Sequence, residues 1–408
     1  MNTGEWLEQA QSYQAELTAH RRFLHEHAET GFELTETREY VRRQLEKMGY
    51  TPSDCGKAGL VVLAGGKRPG RVFLLRADMD ALPIQEQTGL EYACREGRMH
   101  ACGHDMHTSM LLGAAKLLKE HEDELQGTVK LMFQPAEETL EGSADMIDAG
   151  VLENPRVDAS LMIHVMAGMS IPSGSVIVSG GGVSAPSADM FTVNIQGKGC
   201  HGSMPQNGID PVTSAAHIVI ALQEITAREI SISTPAVLTI GSVQAGNSYN
   251  AIPDSARLMG SMRTFDEETR TLLKKRVEEI VSGTAATFRA EAAVSFDSGC
   301  PTLKNDAALS EEVTGYAKEL LGEKRAFNQA EFAAAASGSA KNLSGGSEDF
   351  ANVSQRVPSV MLALAAGEPE KGYPYPQHHP KVMFDEAVLA QGSAVYAYLA
   401  ARWLKEHE

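Results

Sequence analysis

The sequence predicts an α/β protein with a mostly parallel sheet flanked by helices, into which a smaller α+β unit is inserted. Three observations carry this. Short apolar runs rich in branched residues alternate with stretches of helical periodicity from Trp6 to Ile163. A Gly- and Ser-rich stretch, Gly180–Pro186, breaks that pattern as a linker would. The alternation resumes after Gly299, so the outer segments read as one sheet divided in sequence by the insert.

Taken in order, apolar residues recur at helical spacing from Trp6 to Met48 and stop at Gly49, predicting two opening helices. Strands are expected at Leu60–Ala64, Val72–Leu75, Thr128–Phe133 and Ala159–Ile163, with a helix over Ser109–Glu120. Beyond the linker come strand Phe191–Gln196, helix Pro211–Arg228, strands Ala236–Val243 and Ala256–Arg263, helix Glu267–Arg289 and strand Ala292–Phe296. That β-α-β-β-α-β order is ferredoxin-like and sets an inserted domain at 185–298, against an outer domain of 1–184 and 299–408. A helix over Leu309–Leu321, a strand Ser359–Ala365 and a last helix Glu386–Lys405 complete the outer unit.

Composition narrows the function. With 36 Lys plus Arg against 53 Asp plus Glu the net charge is -17, which repels a phosphate backbone, so nucleic acid is not an expected partner. The apolar runs are too short and too interrupted to span a bilayer, and the polar start lacks the features of a secretory signal, so no membrane partner and a cytoplasmic location are expected. Five scattered cysteines, an odd number, argue for reduced thiols.

Four places carry chemistry. His100–His107 packs Cys102, His104 and two further histidines into eight positions, and thiolate with imidazole is a donor set for zinc and similar ions. The alternative is a set of exposed loop histidines beside a buried cysteine. Glu137 and Glu138 follow an apolar strand, where open α/β sheets place ligands; the alternative is a solvated first helical turn. His164 ends a strand and alone would read as a core histidine, and the His378-His379 pair in a Tyr- and Pro-rich loop is ambiguous by itself. Together the four supply Cys, His and Glu in a combination that suits a catalytic metal pair.

The chain also resembles the dinuclear metallopeptidase superfamily of aminoacylases and glutamate carboxypeptidases, in its amidohydrolase branch. The resemblance rests on His20-Arg21-Arg22 with Leu24-His25, Arg76–Pro83, Cys102–His107, Pro135–Glu138, Gly199–Pro205 with Asp210-Pro211, Asn250–Pro253, Ser347–Phe350 and His378–Pro380. It implies two divalent ions per subunit, zinc or manganese with cobalt and nickel as further candidates, held by Cys102, His104, Glu138, His164 and His378. It implies Glu137 as general base, His201 as an oxyanion donor that in dimeric relatives reaches the neighbouring subunit's site, and Asn250 and Arg263 as substrate-binding residues. Asp78 and Asp80 stand where other members have a metal-binding histidine and its orienting aspartate, and are expected to support the ligands. Ala28 replaces the usual proline. The implied activity is hydrolysis of N-acyl amino acids or dipeptide-like amides by a homodimer. Two other readings stay open: a cysteine-nucleophile amidase using Cys102 with His104 or His107 as base, and a metal-dependent binding protein without turnover.

Overall fold

Two units, each with its own sheet and apolar core, account for residues 3–335 and 346–408, which the computed structural model describes. One lies within Met1–Ser184, Lys304–Leu343 and Asp349–Glu408, the other within Ala185–Leu303 and Ser344–Glu348. The small unit thus runs past the expected end at Ser298, because its last strand continues to Cys300 and keeps pairing as far as Ala188.

The larger unit opens with helices α1 (Thr3–Ser12), α2 (Gln14–Glu26) and α3 (Thr35–Lys47). Three helices stand where two were expected, since the chain tightens at Tyr13, whose hydroxyl donates to Glu120. Then follow β1 (Gly59–Gly65), β2 (Val72–Asp78), α4 (His104–Glu120), β3 (Thr128–Gln134) and β4 (Ala159–Met166).

The smaller unit contributes β5 (Ala188–Gln196), α5 (Pro211–Ala221), β6 (Ala236–Ala245), β7 (Ser255–Thr264), α6 (Glu267–Thr287) and β8 (Glu291–Cys300). The chain then returns to the larger unit with α7 (Ala307–Leu321), β9 (Ser359–Ala365) and α8 (Leu389–Glu406).

Among the described residues the larger sheet has eight strands, in the order Ser53–Cys55, β1, β3, β2, β4, β9, Val176–Val178, Ala326–Asn328. The central four, β3, β2, β4 and β9, run parallel. All seven positions of β2 are buried, as a strand covered on both faces must be. Helices α4 and α8 pack on each other and on β2. Each large apolar side chain enclosed here, such as Phe73 or Leu75, contributes roughly 1.5–3 kcal/mol through burial.

Because the central strands are parallel, their C-terminal ends share one edge. β2 has β3 on one side and β4 on the other, and a crevice opens where the order turns in this way. The β2–β4 pairing stops at Arg76–Met162. There Tyr396 of α8 inserts its hydroxyl, donating to the Arg76 carbonyl (2.8 Å) and accepting from the Ile163 N–H (3.0 Å).

Helix α4 begins five residues before the expected Ser109. Its first turn, His104 to Thr108, is fully buried although nearly all polar, so apolar periodicity misses it. Gly103 precedes it at φ +94°, and a Cβ there would lie 2.4 Å from Val165 Cγ2.

In the smaller unit the order β6-β7-β5-β8 is antiparallel throughout, the ferredoxin-like arrangement. α5 and α6 cover one face with Ile218, Leu273, Val277 and Val281 among its core. Asp210 caps α5 by accepting the Val212 N–H, and Asp266 caps α6 through the Thr269 N–H. α5 ends at Ala221 rather than Arg228, the chain passing into a wider π turn at Ile225–Glu229. No described helix is long and apolar enough to cross a membrane.

Candidate metal centre

Polar residues of several motifs gather at the C-terminal edge of the large sheet. Beyond the end of β2, Asp80 faces the turn after β3, and its carboxylate accepts the N–H groups of Glu137 (2.9 Å) and Glu138 (3.1 Å). That turn is bent sharply. Ala136 adopts φ +53°, costly for a residue with a Cβ, and a Cβ on Gly142 would fall 1.6 Å from the Pro135 carbonyl oxygen. Glu137 is therefore buried in a turn, not displayed on a solvated first helical turn; the nearest helix starts at Gly142.

The histidines of this edge are sorted by what their Nδ1 atoms do. His104 Nδ1 donates to the Asp80 carbonyl (2.8 Å) and His164 Nδ1 to the Val165 carbonyl (2.7 Å). Each imidazole so held presents its Nε2 lone pair to the crevice. His107 differs: Nδ1 donates to Asp78 Oδ1 (2.6 Å) and Nε2 accepts the Val165 N–H (2.8 Å), which leaves neither nitrogen for a ligand bond. His164 lies within β4, which runs three residues past the expected end at Ile163, and its ring Nε2 is 3.5 Å from Cys102 Sγ.

Of five groups of donor atoms that result among the described residues, two share Cys102: Cys102 with His104 and His164, and Cys102 with Glu138 and His378, each set lying within 4.8 Å of one another. His378 Nε2 is 3.6 Å from Glu138 Oε1, and its backbone sits at φ +64°. His379 belongs to neither triad; its ring stacks on Tyr375 at 4.2 Å and its Nδ1 accepts the Lys381 N–H. Glu137 Oε2 stands 3.8 Å from His104 Nε2, beside both triads.

These donors fit divalent cations. His104 Nε2 and Glu138 Oε1 are buried without a hydrogen-bond partner, an arrangement that protein atoms alone leave costly. Burial pushes the Cys102 thiol well up and, with Asp80 and Asp78 nearby, the Glu138 carboxyl up to about 7. Positive charge placed among them reverses both penalties. Sulfur, nitrogen and oxygen donors in one site suit zinc and its transition-metal neighbours.

Asp78 is anchored from beneath. Burial opposes its charge, but Arg76, then His104 and His107, outweigh that and hold its carboxyl well below the usual range. The fully buried Arg76 guanidinium donates to Asp78 (2.7 Å), Asp349 (2.9 Å) and Gln134 (2.9 Å), and Asp349 further accepts Gln134 Nε2 and the Ser143 N–H. The motif residues Arg76 and Asp349 thus acquire a place that the sequence left without a role, and His107, a candidate base in the cysteine reading, is held by Asp78 and Val165. The pairing of Arg76 with Asp349 was visible in the sequence only as motifs; no local pattern ties residues so far apart.

In the smaller unit, His201 is exposed and pairs with Ala251 in a two-residue ladder, its Nδ1 accepting the Ser203 N–H and lying 2.8 Å from the Ser203 hydroxyl. Asn250 is a close neighbour, its carbonyl accepting the Gly202 N–H at 2.7 Å. Arg263, half-buried at the end of β7, donates to Ser347 Oγ (2.8 Å).

The profile of peptidase family M20/M25/M40 matches residues 74–402. N-acetylcysteine deacetylase of Bacillus subtilis (strain 168) is 37% identical over 383 residues, covering 93% of this chain and 94% of that protein. IAA-amino acid hydrolase ILR1-like 2 of Arabidopsis thaliana is 39% identical over 395 residues, 95% of this chain and 84% of its own. The solved structure of the Bacillus subtilis YXEP protein, a dinuclear metal-binding peptidase of the M20 family, matches with a TM-score of 0.75 and 33% identity over 97% of this chain and 99% of that one.

Proposed function

Since the chain belongs to peptidase family M20/M25/M40, we propose that it is a metal-dependent hydrolase that cleaves the amide bond of small N-acyl amino acids or dipeptide-like amides, releasing a carboxylic acid and a free amino acid. The observation that carries this is the pair of triads sharing Cys102 with Glu137 beside them.

In this reading Cys102, His104, Glu138, His164 and His378 hold two divalent ions, zinc or manganese, with cobalt and nickel also suited to the donors. When bound, such ions supply Lewis acidity and bring the pKa of water toward neutrality. Glu137 takes the proton of the attacking water and returns it to the leaving nitrogen. Asp80 keeps Glu137 and Glu138 in register through their N–H groups, and Asp78 holds His107. His201 donates to the developing oxyanion, and Asn250 and Arg263 fix the substrate, Arg263 by its planar guanidinium against a carboxylate.

The protein acts as a homodimer in this reading. Support comes from exposed apolar residues concentrated in the smaller unit, among them Ile220, Ile232, Val237, Val243 and Tyr249, and from the edge strand β6. Five free cysteines support a reducing, cytoplasmic setting.

A cysteine nucleophile draws less support: burial raises the Cys102 thiol, whereas nucleophilic thiols are lowered, and of its two candidate bases His107 has no free nitrogen, which leaves only His104. A panel of N-acyl amino acids and dipeptides, assayed before and after chelation with zinc or manganese added back, tests the proposal. Hydrolysis should vanish with the chelator and return with the metal. Activity that survives metal removal, or a fully loaded protein inert across the panel, would sink it.

A further inference from the structure

Between β2 and α4 the chain makes a long excursion without regular secondary structure, Pro83–Arg98, closed at its base by reciprocal bonds of 3.0 Å between Leu82 and Met99. It runs directly into Ala101 and Cys102. Its inner side is tied to α2 by charge. Glu86, whose side chain is buried, accepts the Cys94 N–H (3.1 Å) and the Thr88 hydroxyl and places both oxygens 3.2 Å from His25 Nε2. The other nitrogen, His25 Nδ1, lies 2.8 Å from Asp105 Oδ2. A carboxylate accepts and does not donate, so a His facing one at each nitrogen carries both protons. Burial opposes that charge, and the bonds to Asp105 and Glu86 outweigh it, raising the pKa of His25. Arg21 adds a second tie, its Nη1 donating to the Tyr92 hydroxyl at 2.7 Å while its Nε donates to Asp105 at 2.8 Å.

The excursion in turn holds the stretch that bears His378. The Gln87 N–H donates to the Pro380 carbonyl (2.8 Å), and the His378 N–H to the Ala101 carbonyl (2.9 Å). From Gly367 to Phe384 that stretch has only a single 3-10 turn. The two triads are therefore unequally supported. His104 and His164 sit on a helix and a strand, whereas His378 depends on its neighbours.

We infer that His25 is a positioning residue for the Cys102–Glu138–His378 triad: its imidazolium, clamped between Asp105 and Glu86, fixes Pro83–Arg98, which in turn fixes the His378 loop. The inference rests on the metal reading above and not on hydrolysis. His25 meets no reacting atom. Asp105 keeps Arg21 as a partner when His25 is removed, so the start of α4 and its His104 stay in place.

The test uses the full chain as His25→Gln, Glu86→Gln and the double variant. Zinc affinity is read by chelator competition, and hydrogen exchange by mass spectrometry in the metal-free protein. His25→Gln should weaken the ion of the His378 triad by roughly 10–100-fold, the scale seen when groups orienting metal ligands are removed, and weaken the other, which keeps His104 and His164, far less. Exchange should quicken in Pro83–Arg98 and around His378 only. The double variant, which no longer buries an unpaired Glu86 carboxylate, should recover part of the affinity.

Wild-type affinity for both ions with unaltered exchange would overturn the inference. So would equal weakening of both ions with faster exchange throughout the sheet, which marks a general structural loss, or a double variant no better than the single one. If the wild type binds no zinc the metal reading fails, and unaltered exchange in Pro83–Arg98 then refutes the clamp separately.

Discussion

The large unit encloses a charged network at its strand ends, whereas the ion pairs of the small unit, apart from that of buried Asp189, lie nearer to water. β2 is buried at every position, and its Arg76 is wholly enclosed by Asp78, Asp349 and Gln134. In the small unit β8 alternates between exposed and half-buried, and Arg276 of α6 meets Glu229 at the surface. The difference follows from covering a sheet on two faces or on one. A doubly covered sheet has no strand position to spare for chemistry, so its functional groups collect at strand ends, where each buried charge must be paired. A sheet with an open face can carry His201 and Asn250 on exposed loops with little effect on stability.

This contrast can be broken by experiment. The largest effect is expected from Glu137→Gln, which should lower kcat by about 10²–10⁴-fold with metal content unchanged, checked by steady-state kinetics beside elemental analysis. Undiminished turnover would remove Glu137 from the reaction.

Arg76→Met should destabilise the large unit by about 3–5 kcal/mol, because it strands two buried carboxylates, read from denaturant unfolding. His201→Ala should do the reverse: a fall in kcat of about 10²–10³-fold with an unshifted unfolding midpoint. A lowered midpoint with normal turnover would assign His201 to structure.

His107 gives a pH test. Burial lowers its pKa to about 4, from an ordinary 6.5, so between those values the unfolded chain binds a proton that the folded one refuses. Its contribution is therefore full above pH 6.5 and is lost as pH falls toward 4, by about 3 kcal/mol. In the metal-free protein His107→Gln should flatten that part of the stability profile; an unchanged slope would mean that His107 is not held neutral. The smallest effect is expected from Arg276→Met, whose partly exposed pairs with Glu229 and Glu279 should shift the melting temperature least.

How much of this was readable beforehand varies with the kind of signal. Strand Ser359–Ala365 was legible to the residue, and the small unit's element order followed from its periodicity alone. The start of α4 was missed because the residues it buries there are His, Asp and Thr, whose burial is offset by partners and not by apolarity. Arg76 and Asp349 stood in separate motifs, and only folding brings Asp349 onto the Arg76 guanidinium. His25 was part of a motif as well, but its two carboxylate neighbours come from different turns of the chain.

By itself the sequence determined which residues could do chemistry: the motif clusters, the acidic balance and the alternation of strands and helices are local properties of the chain. The tertiary structure decided which of them face the crevice. His104 and His107 share one segment and one side-chain chemistry, and what separates them is the partner each nitrogen meets. Asp80 takes the Nδ1 proton of His104 on its carbonyl, whereas Asp78 and the Val165 N–H occupy both nitrogens of His107. A lone pair is available to a metal only where no protein atom has claimed it, and those claims come from strands that the sequence keeps apart.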